Sequence, residues 1–272
     1  MKYYRMQPEV VDVRDIDEMM PKGVTNPIGC CLLDGTEVVV KYPNNPFGSG
    51  VLVNEIIGAC VADLMGVSIP EYGLCYLSEE VISSSDIYGP FGEGIDESNA
   101  GKCFYSRRYT NTTTVQKYIR NSERPDGLLI VLYDFVLNNC DRHEGNLLQV
   151  IGTDKLVCID NSHIIEDKND VSGKLKKYLE KEKLMSIDYF INDIDFYRGF
   201  LKGYGLDDMV CLSEEIMNNI SERDLLEIKQ LIPREWQDSV GERSINIKLE
   251  IISRRLHTLS DACKKIMEVA NE

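Results

Sequence analysis

Few folds accommodate residues 128 to 160. Leu128 to Leu137 is an apolar run with Tyr133 and Asp134 inside it, long enough for a buried helix, and it stops at Asn138-Asn139, residue types that favour helix ends. Leu147 to Ile151 and Leu156 to Ile159 are short apolar runs joined by Gly152-Thr153-Asp154-Lys155, the pattern of a hairpin. A buried helix, a polar loop and a hairpin in this order hold the polar residues between them at defined places. Asp141 opens the loop, Asn146 stands just before the first strand and Asp160 just after the second, so the last two are expected close together in space.

These residue types suit metal-assisted phosphoryl transfer. A nucleotide's Mg²⁺ takes hard oxygen ligands, and a side-chain amide with a carboxylate can supply them beside the phosphates. In the protein-kinase scheme an aspartate orients the accepting hydroxyl, an asparagine five positions on holds metal, and a later aspartate holds metal between the phosphates. Asp141, Asn146 and Asp160 keep that order and spacing. A rival reading uses the same loop and hairpin: Cys140, His143, Cys158 and His163 have spacing that can build a tetrahedral Zn²⁺ site. Against it, Cys158 falls inside an apolar strand, where cysteine behaves as a small hydrophobe. His143 alone reads as a loop histidine that hydrogen-bonds backbone and organises the turn.

The first hundred residues read as a sheet with one helix. Val10 to Val13, Ile28 to Leu33 and Glu37 to Tyr42 are β-prone, and Asp34-Gly35 predicts a two-residue hairpin turn between the last two. The loop ending Lys22-Gly23-Val24-Thr25-Asn26-Pro27 stands where a kinase-like lobe covers phosphates, which makes Gly23, Thr25 and Asn26 candidate nucleotide contacts, with an ordinary connecting loop as the alternative. Lys41 ends a strand of β-branched residues. A lysine there is ordinarily solvated, but Glu55 changes the expectation: within Val51 to Met65 its neighbours one turn away are Val51, Leu52, Gly58 and Ala59. A carboxylate facing the interior needs a cation, and Lys41 is the candidate. That pair is how a kinase holds the lysine that contacts the α- and β-phosphates. Tyr72 to Leu77 and Lys102 to Tyr109 read as further strands, and Thr110 to Thr114 breaks the pattern, which places a hinge there with adenine against Ser106, Arg107 and Tyr109.

Composition narrows the partners. With 43% hydrophobic and 28% charged residues the chain is expected to fold fully. The start lacks the apolar core of a signal peptide, and no apolar run approaches the roughly eighteen residues of a membrane span, so a soluble cytoplasmic protein is expected. Nine scattered cysteines, Cys30-Cys31 adjacent, point to reduced thiols. A net charge of -15 repels phosphate backbones and anionic lipid, which disfavours nucleic acid and membrane as partners.

Together these residues resemble the HipA-like kinases, in particular the shorter bacterial branch that lacks the extra N-terminal subdomain of the HipA toxins. The resemblance covers roughly residues 8 to 170 and rests on Val39-Val40-Lys41-Tyr42-Pro43-Asn44-Asn45-Pro46, Asn54-Glu55, Asp141 to Asn146 and Ile159-Asp160. It implies a two-lobed α+β protein-kinase-like fold, with a small N-terminal lobe of antiparallel sheet plus one helix (1–109) and a larger, mostly helical catalytic lobe (110–272). It implies ATP and Mg²⁺ as cofactors, Lys41 on phosphate, Asp141 as the catalytic aspartate, Asn146 and Asp160 on Mg²⁺, and a protein substrate with an antitoxin or regulatory partner. Some members of the family phosphorylate their own phosphate-binding loop, for which Thr25 or Ser49 would be the local candidates. Two departures from ordinary protein kinases stand out: Arg142-His143 follow the catalytic aspartate instead of preceding it, and Asn161-Ser162 stand where Phe-Gly would follow Asp160. The same pattern occurs in aminoglycoside and choline kinases, so a small-molecule acceptor stays open, as does a nucleotide-binding pseudokinase.

From Gly173 on the chain reads as helical. Ile245, Leu249, Ile252, Leu256, Leu259, Cys263 and Ile266 form a heptad seam, either a terminal helix packed on the second lobe or a dimer through the C-terminal helix.

Overall fold

Strand formation in the first lobe runs longer than hydropathy predicts. β1 spans Val11–Met19 and so includes Arg14-Asp15-Ile16-Asp17-Glu18. Register shifts against the next strand, between Val13 and Asp15 and between Ile16 and Glu18, turn both Val13 and Ile16 into the core while most of the charged neighbours keep solvent access. Strict alternation is erased by those bulges. The computed structural model describes residues 5–7, 9–20, 25–85, 87, 94–114, 125–153, 155–165 and 175–272.

β2 (Ile28–Leu32) and β3 (Glu37–Lys41) pair antiparallel, and the Leu32 amide donates to the Thr36 carbonyl at 2.9 Å. The connection is therefore the three-residue loop Leu33-Asp34-Gly35, with Gly35 at φ 88°, and not the expected two-residue turn. With β4 (Tyr72–Leu77) and β5 (Gly101–Arg107) the strands close into a barrel in the order β1-β2-β3-β5-β4. The expected antiparallel sheet gains a parallel pairing of β1 with β4, at Val11 with Cys75 and Asp12 with Tyr76, which closes it. Val38, Val40, Cys75 and Cys103 fill the interior.

α1 (Gly50–Met65) is apolar on nearly every face and is buried along almost its whole length. A helix hydrophobic all round must be enclosed, and α1 lies between the sheet and the second lobe's helices, in the larger of the two cores. A short α2 (Glu79–Ser83) adds Ile82 to the barrel core. β6 (Thr112–Thr114) pairs with β7 (Leu147–Val150), and β7 with β8 (Leu156–Cys158), in a second small sheet. The expected break over Thr110 to Thr114 thus contains a strand, concealed because three polar residues carry no hydrophobic period.

α3 (Pro125–Leu137) is the central helix of the second lobe. The chain continues through α4 (Lys181–Leu184), α5 (Asp188–Asn192), α6 (Ile194–Leu201), α7 (Leu206–Asn219), α8 (Glu222–Leu231), α9 (Arg234–Val240), α10 (Glu242–His257) and α11 (Leu259–Asn271). The heptad seam is divided between α10 and α11 at Thr258, and all seven of its residues are buried in this lobe. Those positions pack the chain on itself, so they do not offer the dimer interface that the seam suggested. Among the described residues no helix is long and apolar enough to cross a membrane.

Candidate active site

Lys41 closes β3, and its side chain crosses to α1 instead of reaching solvent. The ammonium donates to Glu55 Oε1 (2.5 Å), Asp160 Oδ1 (2.7 Å) and Ser162 Oγ (2.6 Å), which uses all three of its protons. Lys41 is 7% and Glu55 3% exposed, so this is a buried ion pair of the kind inferred from the apolar flanks of Glu55. Burial works against the charged lysine, but Glu55 and Asp160 outweigh it and hold its pKa above the ordinary value. At Glu55 burial prevails over Lys41 and raises the pKa. Burial raises Asp160 as well, yet Lys41 and the hydrogen bonds from Ser162 leave its carboxyl far below the usual range. Two carboxylates share one ammonium, and the surplus negative charge faces the cleft.

Asp160 adopts φ 59°, a left-handed conformation that costs a non-glycine residue about 1 kcal/mol or more. The next two residues hold it there. The Ser162 amide donates to Asp160 Oδ1 (3.1 Å), the Asn161 amide to Glu55 Oε1 (3.1 Å), and Asn54 Nδ2 to the Ser162 carbonyl (2.6 Å). Gly58 lets Asn161 lie against α1, since a Cβ at Gly58 would meet the Asn161 Cβ at 2.5 Å.

The Asp141 loop is built from the end of α3. Asn138 takes φ 46° and stops the helix, and the Asn139 side chain accepts from the Asp141 amide (3.0 Å). Asn146 Nδ2 donates to the Asp141 carbonyl (2.8 Å) and lies 3.4 Å from its carboxylate. The His143 Nδ1 accepts from the Gly145 amide (2.9 Å), the turn-organising role its place in the loop suggested. Arg142 does not neutralise the neighbouring Asp141. Its guanidinium turns inward, with Nε 3.2 Å from both oxygens of Asp134, and donates to the carbonyls of Asn146 (2.9 Å) and Ile159 (2.7 Å). One buried arginine thereby ties the residue before Asp160 to Asn146. Asp134 also accepts from Asn139 Nδ2 (3.1 Å) and from the Tyr197 hydroxyl (3.0 Å).

A cleft of about 550 Å³ between the barrel and the second lobe collects Lys41, Glu55, Ser106, Arg107, Tyr109, Asp141, Asn146 and Asp160 in its walls. Two candidates are not among them: Thr25 is buried at 1% exposure and Asn26 sits beside it at φ 50°. Gly23 lies outside the described residues. Ser49 lies at the N-terminus of α1. The zinc alternative finds no support. Among the described residues no group of three or more His, Cys, Asp or Glu side chains is placed to hold a metal ion, and burial pushes the Cys158 thiol up to about 12. Asn146 and Asp160 bring hard oxygen donors, an amide and a carboxylate, to one wall of the cleft, a donor set that fits a hard divalent cation.

Four contributors escaped the sequence: Ser162, Asn54, Asp134 and the inward role of Arg142. For Asp134 a signal existed, because a lone carboxylate inside an apolar helix demands a cation, by the reasoning that paired Glu55 with Lys41.

The sequence model of HipA-like kinases matches residues 13–193 of this chain. The chain belongs to the HipA-like kinase family. No curated protein is similar enough to be matched by sequence. Among solved structures, the fold of this HipA-like kinase is similar to the Helicobacter pylori proinflammatory kinase CtkA, at TM-score 0.57 and 14% identity over 96% of this chain and 99% of that one. It is also similar to the Golgi casein kinase solved with Mn/ADP bound, at TM-score 0.50 and 10% identity over 96% of this chain and 74% of the other. These likenesses show a kinase fold.

Proposed function

We propose that this HipA-like kinase uses ATP and Mg²⁺ to phosphorylate serine or threonine hydroxyls of a protein substrate. The observation that carries the reading is Lys41 held between Glu55 and Asp160 in the cleft that also contains Asp141 and Asn146. With nucleotide bound, Lys41, kept charged by two carboxylates, turns the protons it gives here to Asp160 and Ser162 toward the α- and β-phosphates, while Glu55 fixes its direction. Asn146 and Asp160 hold the metal, which when bound screens the charge of the transferring phosphoryl group. Asp141 orients the acceptor hydroxyl and receives its proton. Adenine rests against Ser106, Arg107 and Tyr109, with the lobe boundary at 109/110. The Mn/ADP held by the Golgi casein kinase agrees with a nucleotide and a divalent metal in such a cleft.

The test is incubation of the protein with γ-labelled ATP and a cell lysate, with and without Mg²⁺, alongside thermal melting. A metal-dependent labelled protein band containing phosphoserine or phosphothreonine is expected, and ATP at about 100 times its dissociation constant should stabilise the fold by roughly 2.7 kcal/mol. Label only in a small molecule would transfer the reading to a small-molecule kinase, and binding without transfer to a pseudokinase.

A further inference from the structure

Lys248 lies on α10, beyond the stretch matched by the family model, yet its ammonium is buried and points at the back of the active site. It donates to Asn54 Oδ1 (2.9 Å), with the carbonyls of Ile165 (3.3 Å) and Ile164 (3.5 Å) also within reach. Asn54 precedes Glu55 on α1 and spends its amide donor on the Ser162 carbonyl. The Ser162 hydroxyl in turn accepts from Lys41 and lies 2.6 Å from Asp160 Oδ1. From Lys248 to the carboxylate assigned to the metal there are thus three hydrogen-bonded steps through the buried residues Asn54 and Ser162, the second of them ending on the Ser162 main-chain carbonyl.

The backbone gives this path something to hold. Between Asp160 and Ile165 the chain carries two non-glycine residues in the left-handed region, Asp160 at φ 59° and the β-branched Ile165 at φ 45°. Such conformations cost about 1–3 kcal/mol each and persist only where surrounding contacts over-determine them. Lys248 fixes Asn54, which grips the segment at Ser162, and it also reaches the segment directly at Ile164 and Ile165. Partners outside a metal's own ligands set the direction of those ligands and typically alter metal affinity about 10–100-fold when removed.

We infer that Lys248 is a positioning residue for Asp160, setting the affinity of the site for its divalent metal from the C-terminal helical segment. The inference rests on the proposed metal role of Asp160. It is tested on the full chain with Lys248→Met, which keeps the length of the stem and removes the donors, and with Asn54→Asp, which keeps an acceptor for Lys248 and removes the donor to Ser162. The primary readout is equilibrium binding: the Mn²⁺ concentration that half-saturates the protein in the presence of ADP, followed by spin resonance and by thermal shift. Turnover against Mg²⁺ is measured in parallel.

Half-saturation should move up by roughly tenfold or more in each variant. Affinity for ADP without metal should change less than about twofold, and turnover should recover at high Mg²⁺. A role confined to stability would lower the melting temperature and leave the metal half-saturation where it was. Unchanged half-saturation in either folded variant overturns the positioning role while leaving the kinase reading intact. A wild-type protein whose ADP complex takes up no metal overturns the metal reading, and this inference with it.

Discussion

Replacing Arg142 by methionine tests whether the cleft is organised from the interior of the second lobe. Both Arg142 and Asp134 are fully buried, and the guanidinium sits 3.2 Å from each oxygen of the carboxylate. Removing one partner of a buried pair typically costs about 3–5 kcal/mol, because the other charge is left uncompensated. The Asn146 carbonyl keeps the Ile159 amide at 3.1 Å, but the Ile159 carbonyl loses the 2.7 Å contact from Arg142, which adds about 1 kcal/mol or more. The expected loss is therefore about 4–6 kcal/mol, a large part of the roughly 5–15 kcal/mol that holds a folded domain together. Urea unfolding of Arg142→Met against wild type measures it.

The pH dependence supplies an independent check on sign. Burial already raises the Asp134 carboxyl in the wild type, with Arg142 opposing it, so losing Arg142 raises it further. A carboxyl whose folded pKa exceeds its unfolded one binds a proton on folding, a contribution present at low pH and lost as pH rises through the folded value. The gap between Arg142→Met and wild type should accordingly shrink from neutral to mildly acid pH. Adding Asp134→Asn, which removes the buried charge and keeps an acceptor for Asn139 and Tyr197, should restore part of the stability without restoring activity. A single variant within about 1 kcal/mol of wild type, or a gap indifferent to acid, would refute this account.

Three further outcomes are expected. Lys41→Met and Glu55→Gln should each lower phosphoryl transfer, with the double variant less impaired than the summed losses, whereas strict additivity in the cycle would disprove the coupling. Gly58→Ala should lower stability by about 1–3 kcal/mol despite the better helix propensity of alanine, because its Cβ falls 2.5 Å from that of Asn161; a stabilised variant in denaturant titration would show that the Asn161 segment yields freely. Asp141→Asn should leave Mg-ATP affinity nearly unchanged while turnover falls about 10² or more, and parallel loss of both in calorimetry and steady-state kinetics would assign the residue to binding instead.

Much of the small lobe and of the site was legible because it depends on local periodicity and on the cost of a buried charge. The helix over Val51 to Met65, the hairpin after residue 146, and the pairing of Glu55 with Lys41 all follow from neighbours a few residues away. What escaped depends on distant partners. β1 continues through five mostly charged residues because bulges in its pairing with β2 accommodate them, and Thr112–Thr114 becomes a strand only because β7 stands beside it. Likewise Arg142 follows Asp141, the proposed catalytic aspartate, in sequence but serves Asp134 in space, since the turn that exposes one side chain drives the next inward. The kind of chemistry was written in the sequence by residue type and spacing. Which carboxylate each cation meets, and how α10 reaches the back of the cleft, was decided by tertiary packing, because a buried charge must find its counter-charge wherever the fold brings one within reach.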